Sequence, residues 1–239
     1  FLSYARQVVE QTNLLEERYK SHTETRELFS VSSQHYAFVV NAFVSLLKRA
    51  DMTRYELFLR ETRTYEIIED VKNFRSEIGV LFLNSYNRDV LTKMFDDNRL
   101  TYTSLFKARP HIFVSKSNPL AKHEVVSLED LEDFPYLSYD QGIHNSFYYS
   151  EEILSQIPHK KSIVVSDRAT LFNLLIGLDG YTIATGILNS NLNGDNIVSI
   201  PLDIDDEIDI VYLKHEKATL SKMGEKFLDN LVKEVTFDN

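Results

Sequence analysis

The amino-acid sequence predicts an α/β fold of two lobes, each a largely parallel sheet covered by helices, preceded by one amphipathic helix. Three observations carry that expectation. Strand-like and helix-like stretches alternate from Glu27 to Phe95, the succession that builds a parallel, helix-covered sheet. A second series of short apolar runs and helical patterns follows from Thr101 to Val235. Only seven Gly and five Pro are spread over 239 residues, so no flexible linker separates the lobes, and the chain is long enough to bury a proper core.

In chain order, Leu2, Ala5, Val9, Thr12, Leu15 and Tyr19 recur three or four apart, with Arg6, Glu10, Glu16 and Glu17 on the remaining faces. This is one amphipathic helix over residues 1–20. It can pack on its own domain or on a second copy through a coiled-coil-like seam, and the second reading is the favoured one. Glu27–Val31 reads as a strand and His35–Lys48 as a helix with Tyr36, Val39, Val40, Phe43, Leu46 and Leu47 on one face. Tyr55–Leu59 is the next strand, and Tyr65–Phe74 a helix whose apolar face is Ile67, Ile68, Val71 and Phe74. Ile78–Leu83 is apolar throughout, as a strand buried on both faces would be. Arg88–Phe95 is a further helix.

The second series opens with Thr101–Ser115, extended apart from Pro110. Ser127–Leu131 starts a helix, with Ser127 as its cap ahead of Glu129 and Asp130. Tyr136–Tyr139, Ser162–Val165, Tyr181–Ala184, Ile197–Pro201 and Ile208–Leu213 read as strands, with a helix at Arg168–Ile176. The last helix, Ser221–Val235, turns Met223, Phe227, Leu228, Leu231 and Val232 one way.

Composition sets aside several function classes. A net charge of −10 repels phosphate backbones, so this segment is a poor nucleic-acid binder. No Cys is present, which removes disulfides, thiolate nucleophiles and Cys-based metal sites and fits a reducing cytoplasm. No apolar run approaches the roughly 20 residues that span a bilayer, and no signal-peptide pattern opens the chain. The first residue, Phe1 rather than Met, points to a fragment. There is no Gly-x-Ser-x-Gly elbow, phosphate loop, Gly-x-Gly-x-x-Gly or His-Glu-x-x-His, and the seven His are scattered. An enzyme, a cofactor and a metal site are therefore not expected. The acidic run Asp203–Asp209 lacks the Gly and terminal Glu of a calcium loop and reads as a solvated strand edge.

Three segments carry a family resemblance. Ile112–Ala121 ends in Asn-Pro-Leu-Ala. Val126-Ser-Leu-Glu-Asp-Leu131 precedes Phe134-Pro-Tyr-Leu-Ser-Tyr139. Val164-Val-Ser-Asp-Arg168 leads into Leu171–Gly180. Their order, spread over nearly the whole chain, resembles the effector-binding domain of LysR-type transcription regulators. Leu178-Asp-Gly180 stands where that family usually has Gly-x-Gly, and Thr185-Gly186 stands where it has a Pro. The resemblance implies two Rossmann-like lobes of the periplasmic-binding-protein type, joined by two crossover strands. Residues 1–20 would be the linker and dimerisation helix, 21–109 plus 208–239 the first lobe, and 110–207 the second. It implies a cytoplasmic homodimer or homotetramer in which the helix at His35–Lys48 lies beside Arg168–Ile176 of a neighbour. DNA would be contacted only through a winged helix-turn-helix absent from this sequence, with RNA polymerase a partner of the full-length protein and no membrane involved. A solute-binding protein of a transporter is the alternative with the same architecture.

The site follows from the same reasoning. Ligands of open parallel sheets collect at the carboxyl ends of strands, where helix N-termini offer free N–H groups to a carboxylate or other anion. A small anionic or zwitterionic effector is thus expected at Ser32, Ser33 and Gln34, although a serine there can equally cap the helix. Ser166 stands in the equivalent place of the second lobe, with Asp167 as a cap. Arg60 and Thr62 follow the second strand, where Arg60 can pair with an acidic effector or with Glu61. Asn84 and Ser85 follow the third strand. Tyr139, with Asp140, Gln141 and Gly142, lines the second lobe's side, and Gly186 with Thr185 completes the set. His111 beside Pro110 reads as structural.

Overall fold

The computed structural model describes residues 9, 12, 27–49, 54–188 and 195–236. The helix read over residues 1–20 lies outside them except for Val9 and Thr12, both helical. Two five-stranded sheets organise the rest. The first holds β1 (Glu27–Ser33), β2 (Tyr55–Glu61), β3 (Ile78–Leu83), β4 (Leu100–Ala108) and β10 (Ile208–His215) in the order β2-β1-β3-β10-β4. The second holds β5 (His111–Ser115), β6 (Tyr136–Tyr139), β7 (Ser162–Val165), β8 (Tyr181–Ala184) and β9 (Ile197–Pro201) in the order β7-β6-β8-β5-β9. In each, four strands run one way and one, β10 in the first and β5 in the second, runs against its two neighbours.

The antiparallel pairs β10 with β4 and β5 with β9 hold the strands that carry the chain between the sheets. β4 passes into β5 at Arg109–Pro110, and β9 returns to β10 through 202–207. The two passages touch, with Leu202 N–H donating to the Pro110 carbonyl at 3.0 Å.

Helices α1 (Ala37–Arg49) and α5 (Lys222–Thr236) cover one face of the first sheet, and α2 (Thr64–Lys72) and α3 (Arg88–Asp97) the other. The first layer closes on Phe29, Phe43 and Phe227, whose ring centroids lie 5.6–6.4 Å apart. The six residues of β3 are all buried, because helices flank both faces. Gly79 allows the closest of these contacts: a Cβ there would lie 2.8 Å from an Ile67 methyl and 2.9 Å from one of Val71. Helix α4 (Arg168–Leu178) packs Leu171 and Leu175 on the second sheet. One apolar cluster continues from Phe38 and Phe82 through Ile208 to Ile112, Ile183 and Ile200, so the core crosses the junction.

Most elements match the sequence reading within two residues, and the differences have physical causes. Phe74 does not join the α2 face; it follows the helix end at φ 56° and is 57% exposed, tilted against the His215 ring. Val232 is likewise exposed, and Val235 takes the buried place one turn on. Ser127 and Asp130 bond each other through side chain and backbone, but the helix is only a single 3-10 turn at Glu129–Leu131, whose N-cap is Leu128 with no side-chain cap. The acidic run is not uniformly solvated: Asp209 is buried and bound by Arg88 at 2.9 Å and by Ser104. At the departure from the family pattern, Asp179 ends α4 in the left-handed region at φ 51°, and its carbonyl accepts from the Asn118 side chain at 2.8 Å. No helix among the described residues is long and apolar enough to cross a membrane.

Candidate functional site

The carboxyl ends of β1, β2 and β3 face those of β6, β7 and β8, and between them lies a cavity lined from both sides. Its body is apolar, built by Phe38, Phe82, Phe113, Ile183 and Ile208. Its polar groups include His35, Tyr139, Glu151, Glu152, Arg168 and Thr185. Few polar groups on an apolar wall is the ordinary make-up of a small-molecule site.

His35 sits just past β1, ahead of α1. Its backbone N–H donates to Glu151 Oε2 at 2.9 Å, and its Nδ1 lies 2.9 Å from the same oxygen. The ring stacks on Tyr139 with centroids 4.1 Å apart. Gln141 Nε2 donates to Glu151 Oε1 at 3.1 Å, and Gln141 Oε1 accepts the N–H of Thr64, the first residue of α2, at 3.2 Å. The approach to α1 and the start of α2 are therefore met by polar groups from the segment between β6 and β7. Burial alone would lower the His35 pKa. The hydrogen bond and charge of Glu151, with the charge of Glu61, outweigh burial and the opposing Arg168, so the imidazole is held above its ordinary value.

Glu152 is fully buried beside Glu151, and burial, then the neighbouring charge, drives its carboxyl well above the usual range. It accepts from the Tyr139 N–H at 2.9 Å. Arg168, at the first position of α4, reaches across the cleft to Glu61 at the end of β2. Its closest approach is 3.1 Å to Oε1, and the hydrogen bond runs to Oε2 at 3.4 Å. Burial raises the Glu61 pKa even though Arg168 and His35 lower it. Among the described residues no group of three or more His, Asp or Glu side chains could hold a metal ion.

The residues nominated from the sequence are only partly brought together. Tyr139 lines the cavity. Gln34 stands behind it, its side-chain oxygen accepting from Phe82 N–H and Tyr36 O–H and its amide donating to Thr64 Oγ1. Ser33 is buried and its hydroxyl has no hydrogen-bond partner among the described residues. Ser32 turns to the other side of the sheet, bound to Asp70 at 2.6 Å and Ser76 at 2.7 Å. Arg60 contacts the Arg75 carbonyl and lies over the Phe58 ring, and Thr62 donates to Glu66.

Asn84 organises the start of α3, accepting from Tyr86 and Asn87 N–H groups. Ser166 is exposed at the end of β7, while Asp167 caps α4 through Thr170 N–H at 2.8 Å. Gly186, at φ 82°, gives room to the His111 ring, which would lie 2.5 Å from a Cβ there. Sequence reasoning missed His35, Glu151 and Glu152 as cavity residues. It held Arg168 as a helix start only, and that position after β7 was the available signal.

No curated protein matches this chain by sequence. Among solved structures, a putative LysR family transcriptional regulator from Pseudomonas aeruginosa, the PA01 protein, is 14% identical with a TM-score of 0.58, covering 98% of this chain and 79% of that one. The BenM effector-binding domain with its effector benzoate is 15% identical with a TM-score of 0.59, covering 90% and 95%. Full-length CbnR complexed with target DNA is 13% identical with a TM-score of 0.64, covering 98% and 80%. At these identities the likeness establishes the fold. Residues 32–236 match the model of the LysR substrate binding domain, most of the chain including every strand past the opening of β1, and the chain therefore belongs to that family.

Proposed function

We propose that this chain is the effector-sensing module of a LysR-type regulator and that its effector is a small carboxylate-bearing metabolite with an apolar body, anionic or zwitterionic. The observation that carries this reading is the Glu151 carboxylate bound by the His35 N–H inside the cavity. The donors ahead of α1 accept a carboxylate in a partly desolvated place, where such bonds are strongest. Arg168 and Thr185 offer further polar contacts, and the Phe and Ile walls take the apolar part. BenM with benzoate is a relative whose effector has that make-up.

The two lobes are taken as residues 21–109 with 208–239, and 110–207, behind a linker helix at 1–20. Tyr139, Gln34 and Ser33 are the nominated residues nearest the seat, with His35 and Arg168 added. A ligand that binds one arrangement of the lobes better than another shifts their populations, and the shift would pass through the linker helix to a DNA-binding domain in a cytoplasmic homo-oligomer. No catalysis is assigned, and a transport role does not fit a chain of this family.

The test is a thermal-shift screen of small organic acids on the wild type and on Ala184→Phe, which fills the cavity from the end of β8. A true effector at about 100 times its dissociation constant adds about 2.7 kcal/mol. That gain should vanish in the folded variant. Equal stabilisation of both proteins would place the ligand elsewhere.

A further inference from the structure

We propose that Glu151 is a tethered competitor for the effector's carboxylate: the chain's own side chain fills the seat, and an effector binds by displacing it. The inference deepens the reading of the cavity given above and rests on it. The 21-residue stretch between Tyr139 and Lys161 crosses from the second lobe onto the first at several points. Asp140 pairs with Arg63 at 2.5 Å, Gln141 meets Thr64 N–H, and the His144 ring stacks on Tyr65 at 3.5 Å. Those contacts hold the segment in place, and Glu151 delivers its carboxylate into the cavity wall, its side chain 3% exposed.

There it collects the backbone N–H and ring nitrogen of His35 and the Gln141 amide, the donor set that a free carboxylate would seek. It does so beside Glu152 and across from Glu61, both of which its charge disturbs. The carboxylate is held by its backbone tether at a high effective concentration, so a free acid meets a seat that is fractionally available, and its apparent affinity falls by that fraction.

The experiment uses acetate as the probe, at constant ionic strength with chloride as the control. Thermal unfolding of the wild type, Glu151→Ala and Glu151→Gln is followed as acetate rises, and the His35 amide resonance is tracked by NMR. Glu151→Ala should gain an acetate-dependent rise in Tm with half-saturation at least tenfold below that of the wild type, and the His35 amide should shift with it. Glu151→Gln, which keeps one accepting oxygen for the His35 N–H but loses the charge and the second acceptor, should respond at least threefold more readily than the wild type.

A folded Glu151→Ala with no acetate response, or one equal to the wild type, overturns the proposal. Should that variant fail to fold, a Glu151→Gln response equal to the wild type overturns it. If the wild type binds no organic acid while Glu151→Ala responds to acetate, the effector reading fails and the competitor stands. If the wild type binds an acid in the cleft and neither variant gains, the competitor alone fails.

Discussion

The ion pair between Arg168 and Glu61 joins the two lobes, and its energetics can be worked from its geometry. At 3.1 Å and an effective dielectric constant of about 20, the gross attraction is about 5 kcal/mol. Desolvation takes back most of it: the side chains are 19% and 23% exposed, and the Glu61 pKa is raised despite its partner. The pair is therefore near neutral as a pair, yet costly to break from one side. Arg168→Met leaves a half-buried carboxylate facing Glu151 and should cost about 2–3 kcal/mol, discounted from the fully buried case because solvent reaches both groups.

Glu61→Gln removes the charge that needs compensation and should cost under about 1 kcal/mol, and the double variant should lie within about 1 kcal/mol of the wild type. Urea unfolding at pH 7 for the four proteins gives the coupling by a double-mutant cycle. Additive losses, or an Arg168→Met cost below about 0.5 kcal/mol, would refute the reasoning.

Two further outcomes are expected. Stability should peak in acidic solution, at about pH 4–5, and fall toward pH 8. His35, held above its ordinary value, contributes fully below about pH 6.5 and loses that contribution as pH rises through its raised pKa, while the raised Glu152 and Glu61 disfavour folding increasingly above about pH 4.5. The lowered carboxyls of Asp130, Asp140 and Asp167 act at the other end, their support lost as pH falls below about 4. Urea midpoints across pH 4–8 check this, and a monotonic rise to pH 8 would contradict it. Gly79→Ala forces a Cβ against the Ile67 and Val71 methyls and should cost about 1–3 kcal/mol; a change within about 0.5 kcal/mol would mean that α2 sits less tightly on β3.

The fold was legible wherever the chain's local pattern has a single physical solution. Ile78–Leu83 is uniformly apolar and becomes a strand buried on both faces. The Asp167 cap was readable because it needs only a carboxylate three residues ahead of a free N–H. The Asn118-Pro motif caps a turn and ties to Asp179, so a sequence signature coincides with a tertiary bond. Phe74 was misplaced because helical periodicity does not say where the helix stops, and a left-handed residue at 74 redirected the side chain.

The candidate cavity was legible as a place, the carboxyl ends of the strands, and less so as a set of lining residues. His35 and Glu151 meet across 116 positions, and no local pattern links them. The serines at 32 and 33 illustrate the converse: they stand at the expected strand end, but strand alternation turns Ser32 toward Asp70 and Ser76 on the α2 side.

The central claim is about where a ligand's carboxylate goes, and a crystal structure of the chain grown with the strongest acid from the screen tests it most directly. The account predicts density between the two lobes, with a carboxylate oxygen about 2.9 Å from the His35 nitrogen and the Glu151 side chain moved out of that seat. Density on the outer surface, or a ligand in the cleft whose carboxylate points away from His35, would contradict it.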